Sequence, residues 1–418
     1  MKQVSVSLST YTADVSGVCS ALYELGGMVV IHDPSGCNST YNTHDEPRWY
    51  DMDSLVFISG LSQMDAIMGN DEKLIQDILR AAEELSPRFI ALVRTPIPLM
   101  TGTDFEAAAR IIEQETGIPV WYFPTTGMRS YVSGAGMALA AVAENLTETM
   151  PETMPENIQT EKNSGIRLNI LGATPLDFSV NTTLASLRSL LEKRYQIIST
   201  FAMGSTPDEI KQAGKAQVNL VVSSAGMEAA RVLRRRFGAP YVIGMPMEGM
   251  ETLVEEKLLA ASASRKCGTL YQKRPPGSME ESVNTRSDGK EEYIIGEAVI
   301  SQSLREAFWK KYGRWARVIC PLEAEKEFLG EDVILTESEE EIKAALAQAG
   351  SVIADPIYRS VCPPDADFLP LPHEAFSGRI YRKQIPDFLH IFSELFSKEP
   401  SEEKKTENSL QSRENILY

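Results

Sequence analysis

Short apolar runs alternate along this chain with longer stretches in which apolar residues return every three or four positions. The first pattern reads as buried strands and the second as amphipathic helices. In the first block the spacing predicts strands at Met28–His32, Phe89–Val93 and Pro119–Phe123, with helices at Glu72–Leu85, Asp104–Thr116 and Gly134–Asn145. A second block predicts strands at Ile166–Leu171, Gln196–Thr200, Val218–Val222 and Pro240–Ile243, with helices at Thr182–Lys193, Met227–Phe237 and Glu248–Ser262. A third predicts strands at Tyr293–Ile295, Ala316–Ile319, Ser351–Ala354 and Phe368–Leu371, with helices at Ser303–Tyr312, Glu339–Ala349 and Ile385–Phe396. Strands separated by helices imply βαβ units and parallel sheets. The expected architecture is α/β, with three Rossmann-like domains whose parallel sheets are flanked by helices.

Polar segments mark the joins. Residues 147–164 carry a Thr-Met-Pro-Glu repeat and read as a linker. This places a first domain at 1–146 and a second at 165–264. A loop-rich connection at 265–290 leads to a third domain at 291–397, and the charged tail 398–418 reads as disordered. Ligands in such folds bind beyond the carboxyl ends of the strands. Cys37 and the loops after Val93 and Phe123 lie at strand ends, so they are expected to share one cleft.

Composition narrows the function. The net charge of −17 argues against nucleic acid, which needs a basic face. The apolar runs are too short for a membrane span, and the start Met1-Lys2-Gln3-Val4-Ser5-Val6 lacks an apolar signal core, so a cytoplasmic protein is expected. The 5 cysteines in 418 residues make no disulfide framework and favour free thiols or metal ligands. Two of them carry the candidate chemistry. Cys19 lies one turn into a short helical pattern that stops at Gly26-Gly27, and Cys37 follows the turn Pro34-Ser35-Gly36 after the strand Met28–His32. Thiols at the loop ends of neighbouring elements suit a soft metal centre such as an iron–sulfur cluster. The alternative for Cys19 is a buried helix thiol, because free cysteine packs as a small hydrophobe.

Other residues pose the same choice. His32 and His44 flank Cys37 and with Cys19 would make up a Cys2His2 zinc set, although the spacing matches no common finger. Arg129, in the loop Thr125-Thr126-Gly127-Met128-Arg129-Ser130, is placed to bind a carboxylate or stabilise charge near a cluster, or else it marks a surface turn. Arg94 poses the same alternatives. Cys267, Cys320 and Cys362 read as packing residues. Gly172 lacks the spacing of a phosphate loop, and Met245, Met247 and Met250 read as adaptable packing.

The segment from Cys19 to Cys37 resembles the P-cluster region of nitrogenase component 1 subunits. The resemblance runs from about Tyr11 to Phe396, through Phe57-Ile58-Ser59-Gly60, the strand ending Val221-Val222-Ser223-Ser224, Ile294-Ile295-Gly296-Glu297 and Leu371-Pro372-His373-Glu374. It departs from the family at the ligands. Pro96 stands where a third P-cluster cysteine belongs, Ser223 where the α subunits carry the cofactor-ligand cysteine, and Pro372 at the imidazole ligand, with His373 one place away. What the resemblance implies is a three-domain component 1 fold and a simpler cluster, a [4Fe–4S] shared between subunits of a dimer, with Cys19 and Cys37 of each chain as ligands beside Gly36. His373 is the expected proton donor, since imidazole titrates near neutrality; a loop histidine bonded to backbone is the alternative. The implied partners are an identical chain or a related component 1 subunit, and an ATP-hydrolysing iron-protein reductase, because this chain has no P-loop of its own. The implied function is reduction of an unidentified substrate. The alternative is a non-catalytic scaffold on which a metallocofactor is assembled, and a third possibility is a binding protein that has lost its cluster.

Overall fold

The computed structural model describes residues 6–8, 12–36, 46–148, 165–273 and 289–396. Cys37 and His44, nearly all of the expected linker, most of the connection and the tail lie outside them. The first domain runs through α1 (Asp14–Leu22), β1 (Met28–His32), β2 (Val56–Ile58), α2 (Asp71–Leu85), β3 (Ile90–Arg94), α3 (Phe105–Thr116), β4 (Val120–Phe123) and α4 (Tyr131–Asn145). Its strands form a parallel sheet in the order β2-β1-β3-β4. Every residue of β1 is buried, as expected for a parallel strand covered on both faces. Helices α2 and α3 cover one face of this sheet, and α1 and α4 lie on the other.

The second domain contains β5 (Ile166–Ala173), α5 (Thr183–Leu191), β6 (Tyr195–Ala202), β7 (Val218–Val221), α6 (Met227–Phe237), β8 (Tyr241–Ile243), α7 (Glu251–Ser264) and β9 (Gly268–Thr269). The third contains β10 (Glu291–Ile295), α8 (Ala298–Tyr312), β11 (Arg317–Cys320), β12 (Ile334–Leu335), β13 (Ala349–Ala354) and β14 (Asp367–Pro370). Their sheets are also parallel, in the orders β6-β5-β7-β8-β9 and β12-β11-β10-β13-β14. No helix among the described residues is long and apolar enough to cross a membrane.

The structure differs from the sequence pattern in its shortest pieces. β9 joins the second sheet from within the segment expected to be a loop-rich connection, and β2 and β12 are too short to show a periodicity. The Pro96-Ile97-Pro98 loop is a short helix, Pro96–Thr101, because proline at the first helical turn loses no hydrogen bond. Of the helix expected at 385–396, only Ile391–Phe396 is α-helical.

The domains do not sit apart. One apolar core continues from α1, β1 and α4 into Leu171, Phe201 and α6 of the second domain. Another joins β5 and α7 to α8 of the third domain, and Tyr131 and Val132 reach into the third domain's own core. Shared cores of this kind fix the relative positions of loops that are far apart in sequence.

Candidate functional site at the three-domain junction

The junction is built from loops that follow strands. In the first domain Asp14, wholly buried at the start of α1, pins the loop after β4. Its Oδ2 accepts from the Thr126 amide at 2.8 Å and its Oδ1 from the Gly127 amide at 2.8 Å. Backbone bonds from Asp14 N to Arg129 O, 2.9 Å, and from Tyr131 N to Thr12 O, 2.7 Å, then fix the start of α4. Tyr131 is thereby aimed inward.

In the second domain β5 ends in Thr174-Pro175-Leu176-Asp177. The Asp177 amide donates to Thr174 Oγ1 at 3.2 Å, and that hydroxyl donates to Asp177 Oδ2 at 2.7 Å. The other carboxylate oxygen, Oδ1, receives the Tyr131 hydroxyl at 2.6 Å. In the third domain His373 precedes the short helix Glu374–Ser377. Its own amide donates to Asp355 Oδ2 at 2.7 Å, and its Nδ1 accepts from the Ala375 amide at 3.2 Å. An accepting Nδ1 places the proton of the neutral ring on Nε2. That Nε2 makes no hydrogen bond and lies 3.6 Å from Asp177 Oδ1, in a residue only 8% exposed. One carboxylate therefore faces all three domains.

A second buried carboxylate adjoins it. Glu297 follows β10 and caps α8, accepting from the amides of Val299 at 3.1 Å and Ile300 at 2.9 Å. It also accepts from the Ser224 amide at 3.0 Å and from the Ser224 hydroxyl, tying the second domain to the third. Burial first, and the charge of Asp177 second, push the Glu297 carboxyl above its ordinary range. The same two causes push the Tyr131 phenol well up, and burial raises Asp355. Beside Ser224 a cleft of about 300 Å³ opens between Ser133 and Gly136 of α4, Glu228 of the second domain, and Glu323 and Phe328 of the third. Glu323 accepts from the Ser130 amide at 3.1 Å and from the Ser130 hydroxyl.

Of the residues singled out in the sequence, His373 reaches this junction. Arg129 is exposed, and its backbone carbonyl is the group that Asp14 engages. Gly36 is exposed, with open space where a side chain would be. Cys19 is 2% exposed on α1, packed among Val15, Val18 and Leu22 in the core that joins the first two domains. Burial, with the charge of Glu46 second, pushes its thiol strongly up. In the chain alone these surroundings favour the protonated thiol, whereas a metal ligand is a thiolate, so a cluster at Cys19 would have to displace that proton on binding. No group of three or more His, Cys, Asp or Glu among the described residues is arranged to hold a metal ion.

The other candidates have structural roles. His32 bonds Ser59 through Nδ1 at 2.7 Å, and burial lowers its pKa. Arg94 straps the loop after β4 through Thr125 O, 3.0 Å, and Pro124 O, 3.1 Å. Cys320 is buried in the third domain, Cys362 bonds Tyr358 O at 3.2 Å, and Cys267 sits half-buried against Arg234. Met245, Met247 and Met250 pack in the second core. Gly172, with φ +88°, serves close packing: a Cβ there would lie 2.7 Å from the Gly226 amide nitrogen. One expected outcome follows. Iodoacetamide labels Cys267 in the native protein at least about tenfold faster than Cys19 or Cys320, because buried neutral thiols are inert. Peptide mass spectrometry reads this, and equal labelling of Cys19 would count against its place in the core.

Asp177, Tyr131 and Glu297 escaped the sequence reading. Two signals were available: Thr174-x-x-Asp177 after a strand has the form of a helix cap, and Glu297 follows an apolar strand directly, where α/β folds place ligand-facing residues.

The model for the family described as nitrogenase component 1 type oxidoreductase matches residues 16–258. The chain belongs to that family. Among curated relatives, the nitrogenase iron-molybdenum cofactor biosynthesis protein NifE of Clostridium pasteurianum is 27% identical over 252 residues, covering 55% of this chain and 51% of the relative. NifN of Nostoc sp., which carries the same description, is 22% identical over 257 residues, covering 57% and 56%. One of the subunits of the light-independent protochlorophyllide reductase of Prosthecochloris aestuarii is 38% identical over 88 residues, covering 21% and 16%. The chain thus spans about half the length, or less, of the curated relatives it matches. A structure titled nitrogenase Cp1 at pH 5 superposes with TM-score 0.62 at 16% identity, over 95% of this chain and 90% of that one. The pH 6.5 structure gives 0.63 at 15%, over 95% and 91%. These two likenesses establish the component 1 fold.

Proposed function

We propose that this component 1 chain is a scaffold subunit that takes up a metallocofactor or its precursor at the three-domain junction and hands it on. The observation that carries this is the absence of an anchoring ligand at both of the places where the family resemblance expects one. Ser223 is buried and donates its hydroxyl to Gly172 O at 2.8 Å, while Pro372 offers no donor atom and His373 is turned onto Asp177. Thiolate and imidazole bonds to iron are strong and directional. A cargo held without them, by shape and hydrogen bonds, is released readily, which is what an assembly site requires. The names of the NifE and NifN relatives agree with such a role.

The test is anaerobic. The chain is purified with its genomic neighbours, loaded, and mixed with a recipient component 1 protein. Iron and acid-labile sulfide are then followed by metal analysis. The expected result is stoichiometric passage of most of the bound iron to the recipient. Iron that stays on the chain through repeated reductive turnover would instead establish the second reading.

That reading is a reductase subunit, and the unbonded Nε2–H of His373 beside Asp177 favours it, since it holds a proton at the junction. In it a [4Fe–4S] cluster is shared with an identical or related subunit through Cys19 and Cys37, and electrons come from an ATP-hydrolysing iron protein. His373→Gln would then lower turnover about 10²-fold or more while leaving the iron content unchanged. Protein that takes up no iron under any of these conditions would end both readings.

A further inference from the structure

The third sheet is covered unevenly. Ile294, Ile353 and Leu369 stand in register on one face of β10, β13 and β14, and they share a core with Phe308 of α8 and Phe392 of the helix Ile391–Phe396. Two positions earlier in each strand, Glu292, Ser351 and Asp367 form a second row on the same face, because alternate side chains of a strand point the same way. A parallel sheet usually carries a helix on each crossover. The crossover from β13 to β14 has no α-helix and carries instead the short helical turn Pro356–Val361. The second row accordingly lines a groove of about 990 Å³ that runs along β14, with Arg314, Arg359 and Tyr381 also in its lining.

We propose that this groove binds an organic anion, a molecule with a carboxylate or phosphate head and an apolar body. The site is separate from the junction cleft, and the proposal holds whether the junction serves assembly or reduction. Its basis is the hydrogen-bonding capacity that the groove leaves unused. The carboxylates in the lining are engaged: Glu292 pairs with Arg314 at 2.9 Å, Asp365 with Lys290 at 2.5 Å, and Asp367 is engaged as well. Three donors are not. Among the described residues the Arg359 guanidinium and the hydroxyls of Ser351 and Tyr381 have no polar partner, and all three residues line the groove. Arg359 lies over the Phe368 ring at 5.3 Å, a contact that orients the guanidinium plane and leaves its N–H groups available. Ser351 is 7% exposed. A hydroxyl so nearly buried and unbonded carries a desolvation cost that a ligand oxygen removes. A guanidinium donates and cannot accept, so the ligand must bring acceptors, and the fork of N–H groups matches two oxygens of a carboxylate or phosphate. Phe308, Leu369 and Pro370 offer apolar surface to the rest of the molecule. The volume lies at the upper end of small-molecule sites, roughly 300–1,000 Å³. The net charge of −17 repels an anion at long range, so the affinity has to come from these contacts.

The experiment is isothermal titration calorimetry on the full chain with three probes that share a benzyl body: phenylacetate, benzyl phosphate and benzylamine. The expected result is one site per chain for the carboxylate or the phosphate, with Kd of about 1 mM or tighter, and no binding of the amine. Whichever anion binds more tightly identifies the head group. Arg359→Gln weakens that binding at least about tenfold with an unchanged circular dichroism spectrum. Arg110→Gln, which removes the same charge from the exposed side of α3, leaves it intact. Hydrogen exchange of wild-type protein locates the site without any variant: amides in 357–361 and 366–369 gain protection when the anion is added. A chain that binds neither anion, an amine that binds as tightly, an Arg359→Gln variant of undiminished affinity, or protection confined to other segments would overturn the proposal. None of these measurements needs iron, so a failed cofactor transfer leaves this result standing, and the reverse holds too.

Discussion

Gly134→Ala is expected to cost this protein about 3 kcal/mol or more, enough to remove most of its soluble folded form. A Cβ at Gly134 would lie 1.8 Å from the Asp14 carbonyl oxygen. The contact is reciprocal, because a Cβ on Gly17 of α1 would lie 2.1 Å from the Tyr131 carbonyl oxygen and 2.7 Å from the Ala135 nitrogen. Both obstacles are main chain inside the α1–α4 pair, so no side chain can swing aside, and overpacking without that relief is the costly kind. The helices would have to separate where Val18, Ala135 and Ala138 close the core between the first two domains. Tyr131 and Asp14 begin these helices, so the junction would shift with them. Gly268→Ala is the control, since nothing lies within 4 Å of its added carbon. Thermal scans at one fixed rate compare the variants, because a chain with several domains commonly unfolds irreversibly. A melting temperature for Gly134→Ala within about 2 °C of wild type would show that the helix contact is looser than described.

The second large effect is expected at Asp177. Asp177→Ala removes the acceptor of both the Tyr131 and Thr174 hydroxyls in a fully buried site. Stranding buried donors that were bonded to a carboxylate costs about 3–5 kcal/mol. Asp177→Asn keeps an oxygen for Tyr131 and is expected to cost about 1–2 kcal/mol. The two variants also differ from wild type in pH dependence. The Glu297 carboxyl is raised in the folded protein by burial and then by the Asp177 charge. A raised carboxyl binds its proton more tightly folded than unfolded, so its stabilising contribution is full below the ordinary glutamate value of about 4.3 and is lost as pH rises through the folded value. Asp177→Asn removes one of the two causes and lowers the upper edge of that window. Urea unfolding from pH 4.5 to 8 should therefore show wild-type stability falling more steeply with rising pH than that of Asp177→Asn. Parallel curves would mean that the two carboxylates do not interact.

The candidate site was only partly legible in the sequence. His373 was found through its place beside a family ligand position. Cys19 shows why local pattern is insufficient: a cysteine one turn into an apolar helix has the same spacing whether its sulfur faces a cofactor or a neighbouring helix. Only the packing of α1 against α4 and the second domain decides, and it buries Cys19. Asp177, Tyr131 and Glu297 carry no periodic signal. They are distant in the chain and meet because three domains share cores.

Local periodicity by itself determined most of the elements. β1 and α6 have the bounds their apolar spacing predicts, and the alternation of such elements made three parallel α/β domains the expected outcome, because a strand buried on both faces and a helix buried on one write different repeats into the chain. What the tertiary structure alone decided is which strand ends meet, which thiol is sealed and where a sheet face stays open. Those outcomes depend on contacts between segments more than 40 residues apart, such as Tyr131 with Asp177, and on whether two backbones approach closely enough to require glycine, and neither leaves a repeat that a reading along the chain can detect.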